Sequence, residues 1–231
     1  LDLCYFETFS EYNFQIFPQG EGRYFLTAVC RSDATTFLYK EKSNEIIRIG
    51  RWQPSVGFSS TTQLMGNIYL NTYSNGDNAY TRLEMLQKNT QDDWDYRDLG
   101  GNIKVTGASG VTKVITLSDN LAVEVHTQKS GLWASLLQRD GLDIKEIDYK
   151  QLTGTRVDNF SVARMDRNHF LIIEGNGEAY ATVFEIDEDN KIVRIGDDPT
   201  MCRNLPPSDS KNGNRYDIKD SYGYFRTVFK Q

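Results

Sequence analysis

The residues best placed for chemistry in this sequence are two carboxylates. Glu11 in SEYNF and Asp158 in VDNF each stand just ahead of a short segment of alternating apolar residues. Two acids across a cleft could cleave a glycosidic bond, one protonating the leaving oxygen and the other acting as base or nucleophile. The two histidines, His126 and His169, fall inside alternating segments, which suits satisfied strand residues better than general bases. GASG (107–110) is not a nucleophile elbow, and in GASGVTK the glycine and lysine spacing is wrong for a phosphate loop. Neither C-x-x-C nor H-E-x-x-H occurs, so a zinc site lacks its ligands. DEDN (187–190) lacks the glycine and distal glutamate of a calcium loop and reads as a hairpin turn. Cys4, Cys30 and Cys202 read as reduced, packed thiols. No cofactor and no metal are expected.

Binding chemistry is better represented. Trp52, Trp94 and Trp133 carry flat apolar rings of the kind that stack on sugar faces. Trp52 follows a recurring Ile-Gly pair by two residues and is placed near one end of the fold. Trp94 and Trp133 are expected in the core, Trp133 between sheets. Two stretches break the regular pattern, GGNIKVTGASGV (100–111) and PPSDSKNGN (206–214). Loops that depart from a repeat commonly gather on a binding face. The binding candidates are therefore Trp52, Asn102, Lys211 and Asn212.

These residues are positioned by a repeat. EIIRIG (45–50) recurs as KIVRIG (191–196), with weaker copies in WDYRDLG and DIKEID. The markers Gly50, Gly100, Asp148 and Gly196 are spaced by 50, 48 and 48 residues. Three alternating segments precede each marker. The first row is NFQIF (13–17), VGFSS (56–60), TKVITL (112–117) and NFSVARM (159–165). The second is YFLTAV (24–29), NIYLNTY (67–73), LAVEVHT (121–127) and HFLIIE (169–174). The third is TTFLYK (35–40), AYTRLEML (79–86), LWASLL (132–137) and AYATVFEI (179–186). Gly, Asn and Asp in the short connections supply hairpin turns. AYTRLEMLQK is rich in helix formers, but its place in the repeat makes it a strand. The sequon NFS at 159–161 falls on a first strand and is set aside as a glycosylation site.

Four short antiparallel strands per repeat meet the requirement of a β-propeller blade. After Gly196 a fifth unit begins, with PTMCRNLPPSDSKNGN (199–214) as strand and loop, then RYDIKDS (215–221) and YFRTVFK (224–230), and LDLCYFETF (1–9) is available to close it. The expected fold is all-β: a single domain over 1–231, a five-bladed propeller of four-stranded antiparallel blades, closed by the N-terminal strand completing the last blade. Its 231 residues are enough for an independent core. A net charge of −6 and a pI near 5.1 leave no basic footprint for nucleic acid. No apolar run reaches the length of a membrane span. Residue 1 is Leu, and no leader is visible to be read.

The stretch FSVARMDRNHFLIIEGNGEAYATVFEIDEDNKIVRIG resembles β-propeller repeats of bacterial and phage surface proteins. There a V-A-x-L-D strand leads to an apolar strand, a Gly-rich turn and a Y-x-x-V strand. Here the matching residues are Val162, Ala163, Met165 and Asp166, then Gly175 and Gly177, then Tyr180 and Val183, with Met165 in place of the usual Leu. The blade number and chain length are also similar to tachylectin-type lectins, which repeat one sugar site in every blade; the blades of this chain have diverged from one another. The two irregular loops point to a non-catalytic scaffold that docks a protein partner, and the resemblance implies that it does so as part of a larger assembly such as a virion or surface complex. A carbohydrate-binding propeller is the second reading and a glycoside hydrolase the third.

Overall fold

The computed structural model describes residues 13–20, 23–30, 33–40, 45–52, 59–74, 78–88, 90, 94–107, 111–154, 157, 159–175 and 180–201. These residues form sixteen β-strands and no helix. Sheet 1 contains β1 (Asn13–Gly20), β2 (Arg23–Cys30), β3 (Asp33–Lys40) and β4 (Glu45–Trp52). Sheet 2 contains β5 (Ser59–Met65), β6 (Ile68–Ser74), β7 (Ala79–Lys88) and β8 (Trp94–Val105). Sheet 3 contains β9 (Thr112–Ser118), β10 (Leu121–Gln128), β11 (Gly131–Asp140) and β12 (Asp143–Gln151). Sheet 4 contains β13 (Asn159–Arg164), β14 (His169–Gly175), β15 (Tyr180–Ile186) and β16 (Ile192–Met201). In every sheet the strands follow one another in chain order and pair antiparallel.

The alternation of the sequence places the strands closely. AYTRLEMLQK is strand β7, paired to both β6 and β8, so the sheet overrides its helix propensity. One expected first strand shifts: β5 begins at Ser59 and runs through TTQLM, whereas VGFSS was expected, and 56–58 lie outside the described residues. The stretch 100–111 is not all loop. Beyond Gly100 and Gly101 the chain pairs again, with Ile103, Lys104 and Val105 opposite Thr81, Tyr80 and Ala79. Asn102 therefore lies within β8.

The repeated markers coincide with β-bulges in the fourth strands. In sheet 1 Arg48 and Gly50 oppose consecutive residues of β3, so Ile49 is the extra residue. In sheet 2 Leu99 is skipped between Asp98 and Gly100, and in sheet 3 Ile147 is skipped between Glu146 and Asp148. In sheet 4 the break follows Ile195 and spans Gly196 to Pro199, after which Thr200 and Met201, expected to open a fifth unit, pair with Ala181 and Tyr180 and so belong to β16. A bulge sharpens the local twist, and a left-handed residue eases it. Gly100 and Gly196 adopt φ of +91° and +84°. Where Asp148 replaces the glycine, its carboxylate accepts the Ile192 N–H at 2.9 Å and Lys191 Nζ at 3.1 Å, linking the fourth strands of sheets 3 and 4.

Neighbouring sheets meet face to face. Leu70 and Leu83 of sheet 2 pack against Val114, Ala122 and Leu137 of sheet 3. The other face of sheet 3, with Val123, Val125 and Leu136, packs against Phe160, Phe170, Ile172 and Phe184 of sheet 4. Burial on both faces explains why LAVEV reads as a nearly continuous apolar run. First strands lie beside first strands, β1 by β5, β5 by β9 and β9 by β13; fourth strands likewise form a row from β4 through β8 and β12 to β16. The β5–β9 contact is made by side chains: Ser60 Oγ accepts the Val114 N–H at 3.0 Å, and Thr116 Oγ1 donates to the Gln63 carbonyl at 2.6 Å. Lys113, buried, donates to the Phe160 carbonyl at 2.6 Å and so ties β9 to β13. Among the described residues no helix is long and apolar enough to cross a membrane.

Phe170 is fully buried and stacks on Phe184 with centroids 5.3 Å apart. Phe170→Ala is expected to lower the unfolding free energy by about 3–5 kcal/mol, measured by denaturant titration. A loss under about 1 kcal/mol would show that this interface does not hold the sheets together.

Candidate functional site

The two ends of the sheets differ. One end carries the crossings between sheets and the turns joining second to third strands. The other carries the first-to-second and third-to-fourth turns, and is called here the hairpin end.

At the crossing end of sheet 3, alternation puts Glu124, His126 and Gln128 on one face of β10. Ala122, on the same face, packs toward sheet 2. Glu124 and His126 are fully buried. His126 Nδ1 lies 2.7 Å from Glu124 Oε2, and Thr112 donates its hydroxyl to the other carboxylate oxygen. Gln128 Nε2 sits 3.0 Å from His126 Nε2 and also donates to the Tyr149 hydroxyl. An amide N–H donated to Nε2 leaves the ring proton on Nδ1, directed at Glu124. Trp133 stacks on Tyr149 at 4.9 Å, and its Nε1 donates to Ser130 Oγ at 3.0 Å. Burial raises the Tyr149 pKa. The crossing chain presses on this network: a Cβ on Gly107, where φ is +65°, would stand 2.5 Å from Gln128 Nε2. Although Glu124 and His126 form an acid–imidazole pair, no hydroxyl faces the free ring nitrogen, because Gln128 occupies that position. The network holds the buried Glu124 and His126 in place, with Gln128, Trp133 and Tyr149 half-buried around them.

Two other buried glutamates lie in sheets 2 and 4. Glu84, on the face of sheet 2 turned away from sheet 3, pairs with Arg82 at 2.6 Å and accepts from Asn71 Nδ2 at 3.3 Å. Glu174, on the face of sheet 4 turned toward sheet 3, has one oxygen, Oε2, with no hydrogen-bond partner. Desolvation raises the pKa of both. Together with Glu124 they place a buried acid on the corresponding face of three consecutive sheets.

A cavity of about 480 Å³ opens at the hairpin end, where β5, β9 and β13 finish. Its lining is Gln63 and Leu64 from β5, Thr116 and Ser118 from β9, Asp119 and Asn120 from the following turn, and Arg164 and Arg167 at the end of β13. Asp119 and Arg167 are exposed and make no hydrogen bond or ion pair among the described residues. Arg164 Nε donates to the Asp166 carbonyl at 3.1 Å. The Asp166 carboxylate is consumed locally: it accepts the Asn168 and His169 N–H groups at 2.8 Å and meets His169 Nδ1 at 2.8 Å. Those bonds, the one from Asn168 first, hold its pKa below the ordinary carboxylate value. Met65 and Met165, next in the chain to lining residues, are 40% and 43% exposed, and Leu142, in a third-to-fourth turn at the same end, is 54% exposed.

The binding candidates read from sequence do not converge here. Asn102 is exposed on β8, at the outer edge of sheet 2. Trp52 ends β4, with its side chain outside the described residues, and Lys211, Asn212, Glu11 and Asp158 lie outside them altogether. His126 and His169 are satisfied strand residues, as expected. DEDN forms a hairpin turn in which Asp187 Oδ1 accepts the Asp189 and Lys191 N–H groups and Asn190 takes φ of +57°. Among the described residues no group of three acids, histidines or cysteines could hold a metal ion. The chain matches no family model and no curated protein.

The raised pKa values of Glu84 and Glu174 fix the sign of a pH effect. A native pKa above the ordinary 4.5 means that the folded state binds the proton more tightly. That contribution to stability is fully present below 4.5 and is lost as pH rises through the raised native values. The Glu84→Gln/Glu174→Gln variant should therefore show a flatter stability-versus-pH curve above 4.5 than the parent chain. The measurement is urea denaturation at a series of pH values, and equal slopes would contradict the expectation.

Proposed function

We propose that the chain is a five-bladed β-propeller that docks a protein partner without catalysing a reaction, as one component of a larger assembly such as a virion or surface complex. The rows of first and fourth strands support a radial array of sheets. In this reading residues 1–9 and 224–230 pair to complete the fifth blade and close the ring. The observation that carries the binding role is the hairpin end. There a cavity lined by hydrogen-bonding side chains, with an unpaired guanidinium and carboxylate, neighbours exposed methionines. Methionine and arginine are enriched where proteins meet.

The polar lining also gives a saccharide reading some support, but none of the eight lining residues is aromatic, so nothing there stacks on a sugar ring. Glycoside hydrolysis needs two carboxyl groups, and the cavity presents one, Asp119. A glycan array probed with the intact protein is expected to retain no saccharide above background. Specific, competable retention would replace docking with sugar binding.

Ring closure makes its own prediction. Deleting residues 1–9 exposes the edge of strand 224–230 in this reading, so the truncated chain should aggregate and melt well below the parent. A deletion of the same length within 206–214 should be much milder, because loop length costs little. Size-exclusion chromatography and thermal melting decide between them. A monomeric variant lacking 1–9 that melts within a few degrees of the parent would exclude closure by this strand.

A further inference from the structure

We infer that the cavity at the hairpin end receives a single carboxylate side chain from a protein partner, flanked in the partner by apolar residues that cover Met65 and Met165. The inference rests on the docking reading above and names the chemistry of the docked segment. Charge complementarity selects the carboxylate. Arg164 and Arg167 both line the cavity, and Arg167 has no partner among the described residues. Asp166 keeps its charge, but its carboxylate bonds Asn168 and His169 and makes no ion pair with either guanidinium, so both forks stay open to a ligand. A guanidinium presents a rigid fork of donors that matches a carboxylate, so two of them facing one recess suit one acid. Asp119, the single acid in the lining, accepts from N–H donors such as those of the docked backbone.

The surroundings limit the ligand to one acid. The third-to-fourth turns of sheets 3 and 4 carry Asp140, Asp143, Asp187, Glu188 and Asp189 at the same end. These lie toward the outer strands, and the whole chain has a net charge of −6. A strongly acidic segment crossing that perimeter is repelled. An apolar segment with one central carboxylate meets the arginines inside and the exposed methionines beside them.

The test is to pan a random dodecapeptide phage library against the immobilised full-length chain. Enriched sequences are expected to carry one Glu or Asp between apolar residues, and to be lost on the Arg164→Ala/Arg167→Ala variant. Both arginines are exposed, so this variant should melt like the parent. For the best synthetic peptide, fluorescence anisotropy should show about a tenfold or greater loss for Glu→Gln in the peptide and for Arg167→Ala in the protein. The two losses should fall short of additive when combined, as for directly coupled groups. Peptides that bind without an acid, or that ignore both substitutions, overturn the carboxylate assignment and leave docking intact. Failure to enrich any peptide overturns both.

Discussion

Sheet 3 is covered on both faces, and most of what this molecule does with its polar residues follows from that constraint. A sheet with one wet face can turn its charges outward. A sheet packed between two others must satisfy every charge where it stands, because an unpaired buried charge costs several kcal/mol. Glu124 therefore takes Thr112 and His126, and His126 takes Gln128. Lys113 finds the Phe160 carbonyl of the next sheet. These groups have the composition of an active centre and the surroundings of a core. The same packing leaves the strand ends as the places where polar groups stay available, and the cavity lies at one of them.

The links between neighbouring sheets run along the first strands and along the fourth strands. Between the first strands β5 and β9 they are short hydroxyls, Ser60, Thr62 and Thr116, and between β9 and β13 a buried lysine, Lys113. Along the fourth strands they are longer acids and lysines. Glu146 accepts the Thr106 N–H at 3.2 Å, and Lys150 donates to the Ile192 carbonyl at 2.7 Å.

The sixteen described strands were legible in the sequence because alternation, turn residues and the marker spacing all pointed the same way, while the expected strands 1–9, 215–221 and 224–230 lie outside the described residues. AYTRLEMLQK shows the limit of propensity, since its neighbours in the sheet decide its state. Position within the stretch 100–111 was harder to read. A Gly-Gly pair looks like the start of a loop, but here it is a bulge from which pairing resumes. The cavity was not legible because Gln63, Thr116, Asp119 and Arg167 come from three repeats and none is unusual locally. The available signal was positional: each stands at or just beyond the end of a first strand. The histidines and tryptophans drew attention by type, and the structure uses His126 and Trp133 to brace one end of sheet 3.

The bulge in each fourth strand also affects how copies of the chain meet in solution. The fourth strand is an edge strand of each sheet, and its free edge is one place where a foreign strand would add. Strand addition needs an unbroken register of donors and acceptors, and the bulge interrupts it midway. An incoming strand matched to Glu45–Arg48 would be out of step beyond Gly50, and the same holds on either side of Leu99 and Ile147. The repeated marker, which first betrays the periodicity of the sequence, thus makes the edge of each described sheet a poor template for strand addition. Among the described residues, each fourth strand presents a broken edge rather than a continuous one.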